Sequence, residues 1–244
     1  DNPAGFAACL CAGFPFVGFL LSDSNKYIRY VGGLIGFVIV IAVILSQSRA
    51  GIMSIAFICF ILLNMKFFHK RWVKYLSLLC FALLLSGCYW MKKDSADGRL
   101  LIWRCSVSMV KDAPWLGHGI GSFEARYMDY QADYFRQYGL NRYSMLADNV
   151  KHPFNEYLGV LLNFGFVGLL MILALITLLI YCYKKHPCAE KRIAFYSLIS
   201  IGVFSFFSYT FTYPFTWIVT FLCIIILTKE YIAKVFTCPI IKNT

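Results

Sequence analysis

Seven stretches of this 244-residue chain are too apolar to face water, and they constrain its fold more than any other feature. They cover residues 4–21, 31–47, 50–64, 75–91, 157–183, 193–210 and 214–228. A hydrocarbon core about 30 Å thick takes roughly 20 apolar residues to cross as a helix. The last two stretches form one run, too long for a single crossing, and Tyr213-Pro214 divides it. Proline removes an amide from a helix interior and disfavours helix in the residue before it. Ser46-Gln47-Ser48-Arg49 divides the 31–64 run in the same way. The expectation is an all-α integral membrane protein with about seven transmembrane helices. Composition agrees: 60% of residues are hydrophobic and 14% charged, which leaves too little polar surface to coat a water-soluble domain. The chain begins at Asp1 and enters an apolar run without a basic segment or cleavage site. It therefore reads as the C-terminal part of a longer protein rather than as a signal peptide with its cargo.

Loop charge orients the set. Residues 65–74 and 184–192 hold four Lys or Arg each, the tail 229–244 holds three, and the loop at 22–30 adds Lys26 and Arg29. The alternate short connections hold only Arg49 and none. The positive-inside rule places the first group in the cytoplasm. Four spans (1–91) then precede a large outward loop (92–156), and three spans (157–228) precede the cytoplasmic tail. The loop carries nine basic residues, but a segment near 60 residues is translocated largely regardless of charge.

That loop has internal pattern. Leu100, Trp103, Val107 and Val110 recur on one helical face through 98–112, the spacing of an amphipathic helix at an interface. Pro114 and Gly117, Gly119 and Gly121 end it. Phe123, Tyr127, Tyr130 and Tyr134 then recur at helical spacing, a stripe that suits packing or an interfacial belt and, less commonly, sugar stacking. Gly117-His118-Gly119-Ile120-Gly121 follows no strand and precedes no Lys-Ser/Thr pair, so it reads as a turn and not a phosphate loop.

No Asp, Glu, Lys, Arg or His lies inside any of the seven runs, which counts against an ion-coupled transporter. The ten cysteines contain no CxxC pair; they read as small hydrophobes. The loop's aspartates are scattered, so no metal site is expected. Ionisable groups gather instead at the outward mouth: Arg49, Arg99, Arg104, Lys151, His152 and Glu156. Arginine near a span end either snorkels to headgroups or grips a phosphate with its planar fork. His152, beside Asn155 and Glu156, has the chemistry of a general base near neutral pH.

The order of blocks is more specific than any one of them. SQSRAG heads a span, GRLLIW and DAPWLGHGIGSF lie in the outward loop, HPFNEYLGVLLNFGFVGLL enters the next span, and TYPF precedes the last. This order resembles the O-antigen ligase and polymerase family of bacterial surface-glycan assembly, over essentially the whole chain. The resemblance implies the C-terminal part of a roughly twelve-span, GT-C-like glycosyltransferase of the bacterial inner membrane, its large loop in the periplasm. It implies glycan transfer from undecaprenyl pyrophosphate to an acceptor hydroxyl or amide on lipid A-core, a glycan or a protein. No cofactor, metal or nucleic acid is implied. Arg49 and Arg99, with Arg104, would hold the pyrophosphate. His152 would be the base with Glu156 as the substitute, and Asn155, Tyr127 and Tyr130 would contact acceptor or glycan. Many relatives carry His directly before the Asn, where this chain has Phe154. Ligase, polymerase and protein O-oligosaccharyltransferase activities all stay open, and so does a non-enzymatic transporter or binder of lipid-linked glycan.

Overall fold

The computed structural model describes residues 3–66, 71–91 and 93–237. Parts of the basic loop at 65–74 and of the tail lie outside these, so their share of the loop-charge reading falls outside the described residues. Helices occupy all seven apolar runs: α1 (Pro3–Leu20), α2 (Lys26–Leu45), α3 (Arg49–Lys66), α4 (Arg71–Met91), α7 (Glu156–Lys185), α8 (Ala189–Phe207) and α9 (Pro214–Thr237). Two more, α5 (Lys93–Asp112) and α6 (Ser122–Tyr138), lie in the large loop. There is no strand among the described residues. By length and composition α1, α2, α7 and the Pro214–Tyr231 part of α9 can each cross a bilayer, and α3 has a shorter apolar stretch. The chain is an all-α integral membrane protein.

In lipid, apolar surface alone does not drive one helix onto another, so close packing and hydrogen bonds must. The first helix meets that demand with Ala7, Ala8, Cys11 and Ala12, all buried and all small. They let α3 and α8 approach closely. At that contact the Ser54 hydroxyl donates to the Ser200 carbonyl at 2.8 Å, and the Ser200 hydroxyl donates to the Cys11 carbonyl at 2.7 Å. Against α2, Gly36 serves the same end, since a Cβ there would lie 2.8 Å from Val17. At the other end of α8, Lys191 is 0% exposed and 3.1 Å from Glu230 of α9. Its helix starts at Ala189, ahead of the apolar run, and so draws into the packing a lysine that the sequence places in a basic loop.

The large loop builds its own core from Leu101, Ile102, Cys105, Met109, Phe123 and Tyr127, joined to α7 through Leu162. The buried stripe of α5 is thus offset from the expected one: Val107 is exposed, while Leu101, Cys105 and Met109 face α6. Apolar residues occupy two adjacent stripes of this helix, and periodicity could not say which would meet α6.

Two features of α7 are set by local geometry. Pro153 does not open the helix. Asn155 does, accepting the Leu158 amide at 3.0 Å, because an N-cap oxygen satisfies an amide that has no partner in the first turn. The helix is also broken at Gly165, where φ is 60° and ψ is −159°. In an unbroken helix the Phe166 and Val167 amides would donate to Leu162 and Asn163. Here they donate to the Pro114 and Trp115 carbonyls at 2.8 and 3.2 Å. The Leu162 and Asn163 carbonyls accept instead from the His118 and Gly119 amides at 2.8 and 3.1 Å. The 114–119 turn therefore gives a new partner to each of the four groups released from two helical rungs. Glycine is required at the contact, since a Cβ on Gly117 would lie 2.6 Å from the backbone of Asn163 and Phe164.

Candidate functional site

Four segments distant in sequence meet at one end of the bundle: the turn into α3, the start of α5, the 152–156 segment and the 209–213 turn. Arg49 is the first residue of α3, directly after a turn in which Gln47 adopts φ 51°. Its Nη2 donates to the Ser95 hydroxyl in the first turn of α5 at 2.7 Å. One turn further along α5, Arg99 donates from Nη1 to the Phe207 carbonyl at 2.7 Å, one of the C-terminal carbonyls that α8 leaves unpaired. Its guanidinium lies over the Phe154 ring, 5.1 Å from the centroid. Burial, and next the positive charge of Arg49, bring Arg99 down to about 10. Two like charges are thus held within each other's field.

The 152–156 segment faces them. His152 stacks on Tyr209 with centroids 4.8 Å apart and planes 26° apart, and Phe154 meets the same ring edge-on at 5.3 Å. Burial lowers the His152 pKa below its ordinary 6.5; Glu124 opposes that shift and Lys151 adds to it. Burial thus favours the neutral ring. Glu156 accepts the Phe211 amide on Oε1 at 2.7 Å, tying α7 to the 209–213 turn. Phe154 sits at φ 52°, a left-handed conformation uncommon for a bulky residue and costing about 1–3 kcal/mol. The fold holds it there through Asn155 as helix cap and through Trp103, whose indole donates to the Pro153 carbonyl at 2.9 Å.

Of the residues singled out in the sequence, Arg49, Arg99, His152, Asn155 and Glu156 come together. Arg104 goes elsewhere: it is exposed, donates to the Tyr134 hydroxyl at 3.3 Å and lies over the Tyr143 ring. Five residues past Arg99, it points from a different side of α5. Tyr127 is 1% exposed, stacked on Phe123, and accepts from Gln131 at 2.8 Å, so its ring serves the loop's core. Tyr130 donates to Asp112 at 2.5 Å, which raises its phenol to about 12. Asn155 spends its side-chain oxygen on the helix cap. Tyr209, which touches both His152 and Phe154, was missed; only its place near TYPF could have drawn attention to it.

Two cavities run from this end into the bundle. One, about 670 Å³, has Glu124, Lys151, His152, Asn155 and Glu156 at its mouth and continues along Leu175, Ile176 and Phe221. The Ser205 and Thr220 hydroxyls on its wall have no hydrogen-bond partner among the described residues. The other, about 820 Å³, is apolar throughout and lies among Phe57, Phe81, Leu198, Phe206 and Phe207. Tyr157 and Gly202 line both, and the Tyr157 hydroxyl donates to the Gly202 carbonyl at 3.0 Å.

The fold and site define a multi-pass helical membrane protein with arginines and a histidine gathered above apolar cavities. The O-antigen ligase family model matches residues 34–173, more than half of the chain, and the protein belongs to that family of membrane enzymes. The matched span contains Arg49, Arg99, His152 and Glu156, and both halves of the contact at Gly117 and Gly165. No curated protein matches the chain.

Proposed function

We propose that the protein transfers a glycan from undecaprenyl pyrophosphate to an acceptor hydroxyl or amide on the periplasmic side of the bacterial inner membrane. The observation that carries this reading is the convergence of Arg49 and Arg99. Two guanidinium groups within each other's field make a site that an anion stabilises, and a pyrophosphate is an anion that suits two planar forks. The donor's lipid tail has the apolar cavity beneath Phe206 and Phe207 available, directly under the carbonyl that holds Arg99. The acceptor approaches at the polar mouth. There His152 takes the proton from the acceptor oxygen or nitrogen as that atom attacks the anomeric carbon. The bond from that carbon to the pyrophosphate oxygen breaks, and the two arginines meet the negative charge that develops on the leaving group. Glu156 is the competing base. Asn155 holds the segment in register, and Tyr130 stays at the loop surface as a weaker candidate for glycan contact; Arg104 and Tyr127 are left out of this mechanism.

The test is the surface-glycan profile of a deletion strain complemented with wild type or with Arg49→Ala, Arg99→Ala double variants. Ligase loss leaves polymer on the lipid carrier, and polymerase loss leaves single repeats on the surface. An unchanged profile in the double variant, at normal protein level, would sink the reading.

A further inference from the structure

The turn that fills the break in α7 carries three bare apolar side chains. Trp115, Leu116 and Ile120 are 68%, 75% and 83% exposed, on a segment whose backbone is otherwise bonded into α7. Four features give that surface one occupant. First, the length of α7 sets its depth. Lys185 lies twenty residues beyond Gly165, about 30 Å of helix and hence about one hydrocarbon thickness. With Lys184 and Lys185 at one boundary, Gly165 lies at the other. Second, the surface is continuous with a lipid-facing row. Trp115 meets Phe166 edge-on at 6.1 Å, and Phe166, Val167, Leu170 and Met171 are all exposed down the same helix. Third, the backbone is prepared for a medium without water. Irregular chain at membrane depth is tolerated only where its polar groups are satisfied, and the four bonds between 114–119 and 162–167 do that. Fourth, cations rim the tip. Lys111 and Arg126 are exposed, and Arg126 donates to His118 Nδ1 at 2.9 Å while His118 Nε2 donates to the Met109 carbonyl at 2.7 Å.

We propose that Trp115, Leu116 and Ile120 enter the acyl-chain boundary of the bilayer, with Lys111 and Arg126 at headgroup level. The large loop is thereby seated on the membrane by its own tip as well as by its two ends. This assignment rests on the geometry of the turn and not on the transfer reaction.

The test places an environment-sensitive fluorescent amino acid at position 120 of the full chain in lipid nanodiscs, and at position 132 in a second sample. Ala132 is exposed on α6 beside Asp133, which pairs with Arg136 at 2.7 Å, so this face stays in water. Lipids bearing a nitroxide near the carbonyl end of the acyl chain should quench most of the emission at 120 and little of it at 132. Aqueous iodide should give the reverse. Iodide reaching position 120 as readily as 132 would overturn the proposal. Shielding of position 120 from both quenchers would also overturn it, because a protein surface and not lipid would then cover the tip.

Discussion

The Phe166 amide donates to the carbonyl of Pro114 at 2.8 Å, and not to Leu162 one turn back in its own helix. A bond between residues so far apart in sequence makes the loop and the membrane helix one mechanical unit. It also makes the two glycines at the contact, Gly117 and Gly165, positions where an added Cβ would strike the facing backbone.

Gly117→Ala should therefore be severe. The residue sits at φ 67° with its Cβ position occupied by the α7 backbone; strain and overpacking together cost about 3 kcal/mol or more. Gly119→Ala is the control: φ is 91° but nothing lies within 4 Å of the added carbon, so only conformational strain of about 1 kcal/mol applies. Unfolding in detergent, followed by denaturant midpoint, checks the pair. Equal losses would mean that the contact contributes nothing.

Arg49→Lys should be nearly as damaging to turnover as Arg49→Ala. Lysine offers a point charge where a pyrophosphate grip and the bond to Ser95 call for a planar fork. Full activity of the Lys variant at normal expression would remove Arg49 from the site and leave it a membrane-surface anchor.

Donor affinity should depend on pH on the alkaline side. Arg99 is lowered to about 10 by burial and by Arg49, so its charge is complete well below that pH and is lost as pH rises through it. Binding of a lipid-pyrophosphate donor should weaken through that window. In Arg99→Ala the step should vanish, leaving weak affinity that is flat up to pH 10.

His152→Ala should lower the rate about 10²- to 10⁴-fold if it removes a general base, with donor binding kept. Glu156→Gln should then be mild; the opposite pattern would make Glu156 the base. Because burial disfavours the imidazolium, His152 keeps its base form somewhat below pH 6.5. The acid limb of kcat/KM should lie on the acid side of that value, and it should be missing in His152→Ala.

Tyr209→Ala should reduce kcat by removing the plate on which both His152 and Phe154 rest, about 0.5–1.5 kcal/mol per ring pair. Tyr209→Phe keeps both ring contacts and should stay near wild type. Equal loss in the two variants would shift the role from the ring to the hydroxyl.

Much of this was legible in the chain itself. Apolar runs of bilayer length, broken at Ser46–Arg49 and at Tyr213-Pro214, dictate helices because nothing else in lipid satisfies the backbone at that length. The order of SQSRAG, GRLLIW and HPFNEY carried the family and pointed to Arg49, Arg99 and His152 through local signals alone. Each of those signals depends on neighbours in sequence, so sequence holds it. What only the tertiary structure decided is which of these residues meet. Arg99 and Arg104 share one helix, yet the 100° step per residue sends one to Phe207 and the other to Tyr134. Tyr209 carries no motif of its own and matters only because α8 ends beside Phe154. The break in α7 was equally hidden. Asn163-Phe164-Gly165 reads as an apolar helix with one tolerable glycine, and the partner that replaces its two lost hydrogen bonds lies nearly fifty residues earlier. A helix keeps its rungs by default, and it yields them only where another backbone is in place to take them up.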